Sequence, residues 1–390
     1  MIRTSLIVLI LESTETKLKE IWQNLLLMNI CNLHQPVGRY LQFRQYSMNL
    51  SEVVKRLNSL ASTSLAESWD NVGLLLEPHS KKEIETMMLT NDLTEEVMDE
   101  AERIRANFIL SYHPPVFQPL KRITSKAWKE RIVARCLEKG IAVYSPHTSY
   151  DAVQGGVNDW LIQAFDGEEV SPLHPSKKLP KYSHQVTVTT SSELEAMALV
   201  ESFTALLDQS QTFIKSSEKQ MEVLCTEGTV PTIINLITDN ENASALQLTL
   251  TKLEKVPIVG HGMGRKCKIV QPMTIEEAIN RIKSHLGLPY VRLALAHGAK
   301  LDNFVKSVAV CAGSGSSVLR GNSADLWLTG EMSHHEVLDA IHQGTTVILT
   351  DHSNSERNFL KTLQPRLYSA LDQKVQVLIS EKDRDPLEVV

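Results

Sequence analysis

The feature that most restricts how this chain can fold is a recurring unit. Six short apolar runs each break abruptly into polar residues: TMMLTND (86–92), NFILSYHPP (107–115), IAVYSPHTSYD (141–151), KSVAVCAGSGSS (306–317), ADLWLTGEMSHH (324–335) and TTVILTDHSNSE (345–356). Most are followed by a stretch with apolar residues at helical spacing, such as TEEVMDEAERI or HHEVLDAIHQ. Strands that alternate with helices predict α/β layers built on largely parallel sheets. In such sheets ligands bind beyond the carboxyl ends of the strands, and His113, Asp151 and His352 each lie within a few residues of such an end.

Each of these residues has an ordinary role open to it as well. His113 precedes Pro114-Pro115, which excludes it from a helix interior and fixes its orientation, for a ligand or for a turn. Asp151 suits an Asx-type turn or a helix cap. Ser353-Asn354-Ser355-Glu356 has the spacing of a capping box, in which Glu356 satisfies the backbone of Ser353. Glu356 also follows His352 by four, so the two share a face and can share one centre. Two histidines with two carboxylates make a borderline nitrogen and oxygen set, suited to zinc, manganese, iron or cobalt rather than calcium. An aspartate bridging two ions would hold them about 3.5–4 Å apart, the spacing that activates a water.

Between two α/β segments, 48–180 and 269–390, lies a stretch of different texture, 181–268. HQVTVTT alternates like a strand, and SELEAMALVESFTALL reads as a helix behind a serine cap. QMEVLCTE and PTIINLIT read as two more strands, and ENASALQLTLTKLEK as a second helix. A β-α-β-β-α-β order would make this a ferredoxin-like insert, of the PII-like kind. Its lead-in, SPLHPSKKLPKY, reads as an exposed linker.

Composition enters by exclusion. With 46 acidic against 40 basic residues the formal charge is −6, which argues against direct nucleic-acid binding as the main activity, although a local basic patch remains open. Five scattered cysteines without a C-x-x-C pair indicate neither a disulfide framework nor a cysteine zinc site. No run approaches the roughly 20 apolar residues that span a bilayer, so no membrane partner is expected. Residues 1–47 read as an extension. LIVLIL is short for a secretory core, and Glu12, Glu15 and Glu20 do not suit a presequence, whereas GRYLQFRQYS is free of acid. Cytoplasm is the expected location, with the nucleus a second and mitochondria the alternative.

The motifs SWDNVGLLLE, SYHPP, SPHTSYD, GMGR, LTGEMSHHE and DHSNSER, in this order, make the chain from Met48 onward resemble the NIF-three-like family, also described as GTP cyclohydrolase I type 2 homologues. Chain length and insert are similar to its vertebrate members. The resemblance implies two α/β lobes facing a shared cleft, with one or two divalent ions there (zinc, iron or manganese) in a homo-oligomer. It carries the metal ligands onto His113, Asp151, His352 and Glu356. The family's paired histidine is Tyr112 here, and a phenol is a poor ligand unless ionised; His147 is the nearest substitute along the sequence. Glu331, His334 and His335 resemble residues that orient ligands, with a helix-start cluster as their alternative. AGSGSSVL lacks the P-loop lysine and is a weak phosphate cradle. WDNVGL, with Trp69 and Asp70, reads as a fixed loop near the mouth or a plain turn. The family's names imply interaction with partners, transcriptional regulators among them, or metal-dependent hydrolysis of a nucleotide, a pterin-like ring or a phosphorylated small molecule; a metal-handling or storage role is a third reading.

Overall fold

The computed structural model describes residues 47–389, apart from 80–82, 179 and 240–245. The expected extension, including GRYLQFRQYS and Cys31, lies outside the described residues except for its last position. The described residues belong to one compact unit.

The recurring units become strands and helices where their sequences require it. Helix α1 (Leu50–Leu60) opens where the Asn49 side chain accepts from Ser51 N, and it buries Leu50, Val53 and Leu57 at helical spacing. After β1 (Gly73–Leu76) and β2 (Thr86–Thr90), α2 (Glu95–Arg103) is capped by Thr94, with Glu95 and Glu96 in its first turn and Arg103 in its last. The wholly buried β3 (Phe108–Ser111) leads to α3 (Trp128–Lys139), which stops at Gly140 in the left-handed region, φ 69°. Then follow β4 (Ala142–Ser145), α4 (Thr148–Ala152), α5 (Val157–Ile162), β5 (Gly167–Ser171) and β6 (His174–Lys178). The last two correct the reading of 171–182 as a linker, because β6 pairs with a later strand that covers its backbone groups.

The insert has the expected β-α-β-β-α-β order, built from partly different segments. It runs β7 (His184–Thr189), α6 (Glu193–Leu206), β8 (Thr212–Ser217), β9 (Gln220–Cys225), α7 (Val230–Thr238) and β10 (Gln247–Lys252). PTIINLIT, expected as a strand, is helix α7: Pro231 in the first turn pre-organises a helix, and Ile233 and Ile237, four apart, are its buried pair. QLTLTK, expected within a helix, is strand β10, because its leucines alternate with threonines at a period of two; 240–245 fall outside the described residues. The antiparallel sheet order is β8-β9-β7-β10.

Beyond the insert come β11 (Val256–Met263), β12 (Arg265–Thr274), α8 (Ile275–Leu286), β13 (Arg292–Ala294), β14 (Phe304–Cys311), α9 (Ser316–Leu319), β15 (Leu326–Thr329), α10 (His334–His342), β16 (Thr346–Leu349), α11 (Phe359–Ala370) and β17 (Gln376–Ile379). Two mixed sheets organise the molecule, in the orders β17-β2-β3-β4-β1 and β13-β16-β15-β14-β12-β5. In the first, only β1 runs antiparallel to its neighbour. In the second, only β14, β15 and β16 are mutually parallel, so that sheet is less parallel than its alternating sequence suggests. Strands also cross the segment bounds read from the sequence: β17 pairs with β2, and β5 with β12. One apolar core joins both sheets, with Phe108, Leu110, Val308, Leu328, Ile348, Phe359 and Leu363 in a single buried cluster.

Candidate metal centre

The carboxyl ends of β2, β3, β4, β15 and β16 converge and each delivers polar residues, while β14 brings Gly313 against them. His113 follows β3 by two residues, held by the rigid prolines after it, with its main-chain N–H on Asn91 O. Its Nδ1 donates to Asp92 Oδ1 at 2.9 Å, which turns Nε2 toward Glu356 Oε2 at 3.2 Å. His352, after β16, repeats the arrangement: Nδ1 donates to Glu331 Oε1 at 2.9 Å, and Nε2 lies 3.6 Å from Glu356 Oε1. One ligand atom from each of His113, His352 and Glu356 lies within 4.8 Å of the others.

Glu356 is only 3% exposed. Ser353 does not cap a helix through it. Residues Ser353–Ser355 form a single 3₁₀ turn, and the Ser353 hydroxyl instead donates to Asp385 and accepts from Arg357. The capping box belongs to Ser333 and Glu336, at the start of α10. Freed from that role, the Glu356 carboxylate faces both imidazoles and accepts from Asn91 Nδ2 at 2.9 Å. Burial alone would raise its pKa, but the charge of His113 beside it, with the hydrogen bond from Asn91, pulls it down to about 2. Burial likewise works against a charged His113, but Glu356 and Asp92 outweigh it and hold its pKa well above the usual imidazole value.

The residues fit a cation. His113 Nε2 is buried and has no properly aligned hydrogen-bond partner. With both Nδ1 atoms committed as donors, two Nε2 lone pairs point at one carboxylate, an arrangement that requires a proton or a metal between them. Gly313, at φ +65°, leaves the space open: a Cβ there would stand 2.7 Å from Glu356 Oε1 and 3.1 Å from His352 Nε2.

Asp151, on α4, is buried beside this group and accepts a hydrogen bond from the Tyr112 hydroxyl. Burial, then the Glu356 charge, lifts its pKa to about 7. His147 has its ring centroid 5.4 Å from that of His113 and gives Nδ1–H to Asp70 Oδ1 at 2.7 Å. Asp70 also accepts from Thr148, so WDNVGL is a structural turn that also orients a histidine. His147 holds a positive φ of 34°, a backbone strain kept where its ring faces the cavity. His334 and His335 stand on the exposed first turn of α10, edge to face with each other. They are not among the residues that reach the group. Asn91 and Asp92, at the end of β2, were the contributors that sequence reasoning missed, because polar residues at a strand end are ordinary.

A cavity of about 310 Å³ opens onto the group, lined by Trp69, His147, Asp151, Gly313, His352 and Glu356 among others. Among the described residues no helix is long and apolar enough to cross a membrane.

Fold and site define an α/β protein of two mixed sheets whose facing strand ends gather a cation-ready group of two imidazoles and a carboxylate. The chain belongs to the Duf34/NIF3 (NGG1p interacting factor 3) family, whose model matches residues 48–386. It is 46% identical over 359 residues to NIF3-like protein 1 of Bos taurus, covering 88% of this chain and 93% of the relative. It is 30% identical over 355 residues to NGG1-interacting factor 3 of Saccharomyces cerevisiae, covering 87% and 96%. A crystal structure of a Bacillus cereus protein related to NIF3 shares the fold, with TM-score 0.64 and 24% identity over 88% of this chain and 99% of that one.

Proposed function

We propose that this chain is a divalent-cation-binding protein whose centre is His113, His352 and Glu356, with Asp151 beside it. One observation carries the reading: two imidazoles, each fixed at Nδ1 by its own carboxylate, turn Nε2 onto the two oxygens of a single buried glutamate. Zinc, iron or manganese suits that donor set. When bound, such an ion supplies Lewis acidity toward a water or a substrate oxygen.

The chain's own residues supply the rest. Asp70 fixes the His147 tautomer, so Nε2 is free to take or give a proton within the cavity. The cavity is of a size for a small molecule, with Trp69 at its wall. Together these support metal-dependent hydrolysis of a nucleotide, a pterin-like ring or a phosphorylated small molecule. A second reading, protein interaction within a homo-oligomeric assembly and with transcriptional regulators, is supported by the yeast relative, which is described as an interacting factor of NGG1.

Elemental analysis of the purified full chain beside His352→Ala tests the centre. Wild type is expected to carry a stoichiometric transition metal and the variant to lose it; equal metal in both rejects the assignment. Asp151→Asn separates the two activities, since hydrolysis should stop while capture of a protein partner continues.

A further inference from the structure

We propose that Tyr112 limits this centre to a single cation per chain. The inference rests on the metal centre proposed above and adds its stoichiometry and the residue that sets it.

Tyr112 is fully buried, and its backbone is locked into the sheet. Its N–H donates to Thr90 O at 2.9 Å, and its carbonyl accepts from the Ser145 hydroxyl at 2.9 Å and from His147 N at 3.2 Å. The ring is wedged edge-on between His113 and His147, at centroid separations of 5.5 and 6.3 Å. It therefore cannot swing away from Asp151, to which its hydroxyl donates. A phenol has one proton, and this one is committed to the carboxylate oxygen that a second cation beside the first would need.

Asp151 is held from its other side as well, because its main-chain carbonyl accepts from Asn158 Nδ2 at 3.0 Å. His147, the remaining nitrogen nearby, is already oriented by Asp70. Among the described residues one group of three metal-ligating side chains gathers, and neither Asp151 nor His147 is part of it. One ion thus has a full donor set, whereas a second would have to displace the Tyr112–Asp151 hydrogen bond and would gain only a neutral phenol oxygen, a poor ligand. An imidazole at position 112 would remove that donor and place a nitrogen beside Asp151, which is what a second ion requires.

The test is a count. Purified full-length protein is stripped with chelator, loaded with excess Co²⁺ and desalted, and cobalt per chain is measured with the electron paramagnetic resonance intensity per cobalt. Wild type is expected to hold one cobalt with full signal. Tyr112→His is expected to hold two, with signal per cobalt lowered by coupling between neighbouring ions. Two cobalts in wild type overturn the proposal, and so does a folded Tyr112→His that stays at one. The wild-type count is decisive even if the variant does not fold. No cobalt in wild type removes the centre itself, a result distinct from either.

Discussion

The imidazoles of His113 and His352 stand 5.1 Å apart, centroid to centroid, although one follows β3 and the other β16, in different sheets. Glu356 lies between their Nε2 atoms, and Asp92 and Glu331 hold the opposite nitrogens. Glu356→Gln is expected to abolish tight cation binding. Asp92→Asn and Glu331→Gln should each weaken it by about 10- to 100-fold, the usual effect of losing the partner that orients a ligand. Competition against a chromophoric chelator measures all three, and full affinity in Glu331→Gln would show that His352 needs no such support.

Acidity should govern both binding and stability. The raised pKa of His113 means its contribution to the metal-free fold is complete below about 6.5 and disappears as pH rises through the folded value. Asp151 acts in the same direction: its folded pKa, about 7, lies above the ordinary 3.8, so the fold is penalised increasingly between those values as the carboxyl is forced to ionise. Glu356 is opposite in sign, adding stability above 4.5 that is lost only toward pH 2. Metal-free protein should therefore melt lower at about pH 8.5 than at about pH 6, and added zinc should raise the melting temperature more at the higher pH, where no proton competes for the ligands. A larger zinc effect at the lower pH would contradict this assignment of charges.

Gly313→Ala should cost about 1–3 kcal/mol in backbone strain at a positive φ. The added methyl would also push on Glu356 and His352. The variant is expected to fold with a lowered melting temperature and to retain little metal after dialysis. Unchanged metal content would mean that the neighbouring side chains shift without losing their aim.

Arg265 is 1% exposed and pairs with Asp159 through two hydrogen bonds, 2.8 and 2.7 Å, while also donating to the carbonyls of Gly262 and Gly264. It thereby ties α5 to the start of β12. Asp159→Ala would leave a buried guanidinium without its counter-charge, at a cost of about 3–5 kcal/mol. Chemical denaturation checks this, and a cost below about 1 kcal/mol would mean that the carbonyls alone satisfy the cation.

The strand ends and the histidines upon them were legible because each apolar run stops sharply, and a residue at such a stop has few places to point. Glu356 was legible as a partner of His352 by spacing alone, even though the same four letters also spell a capping box. Asn91 and Asp92 were not, since nothing local separates a supporting aspartate from one that merely faces water. In the insert, Pro231 and the alternation Leu248-Thr249-Leu250 carried the correct signals, but they were outweighed by β-branched content in one case and by the length of the polar-apolar stretch in the other. The pairing of β17 with β2 had no local signature at all, because register between distant strands depends on which edges remain available when the core closes.

That last pairing bears on when the protein becomes competent. Strand β2 ends at Thr90, immediately before Asn91 and Asp92, and its outer edge is completed by β17. Asp383, just beyond β17, accepts the main-chain N–H groups of Asn91 and Asp92. During synthesis the ribosome therefore releases His113 and Asp92 long before the strand that braces them, and closure of the sheet waits until Gln376–Ile379 has emerged. A C-terminally clipped polypeptide would display the open outer edge of β2 and lose the Asp383 brace on Asn91 and Asp92, so that the aspartate that aims His113 would be held less firmly.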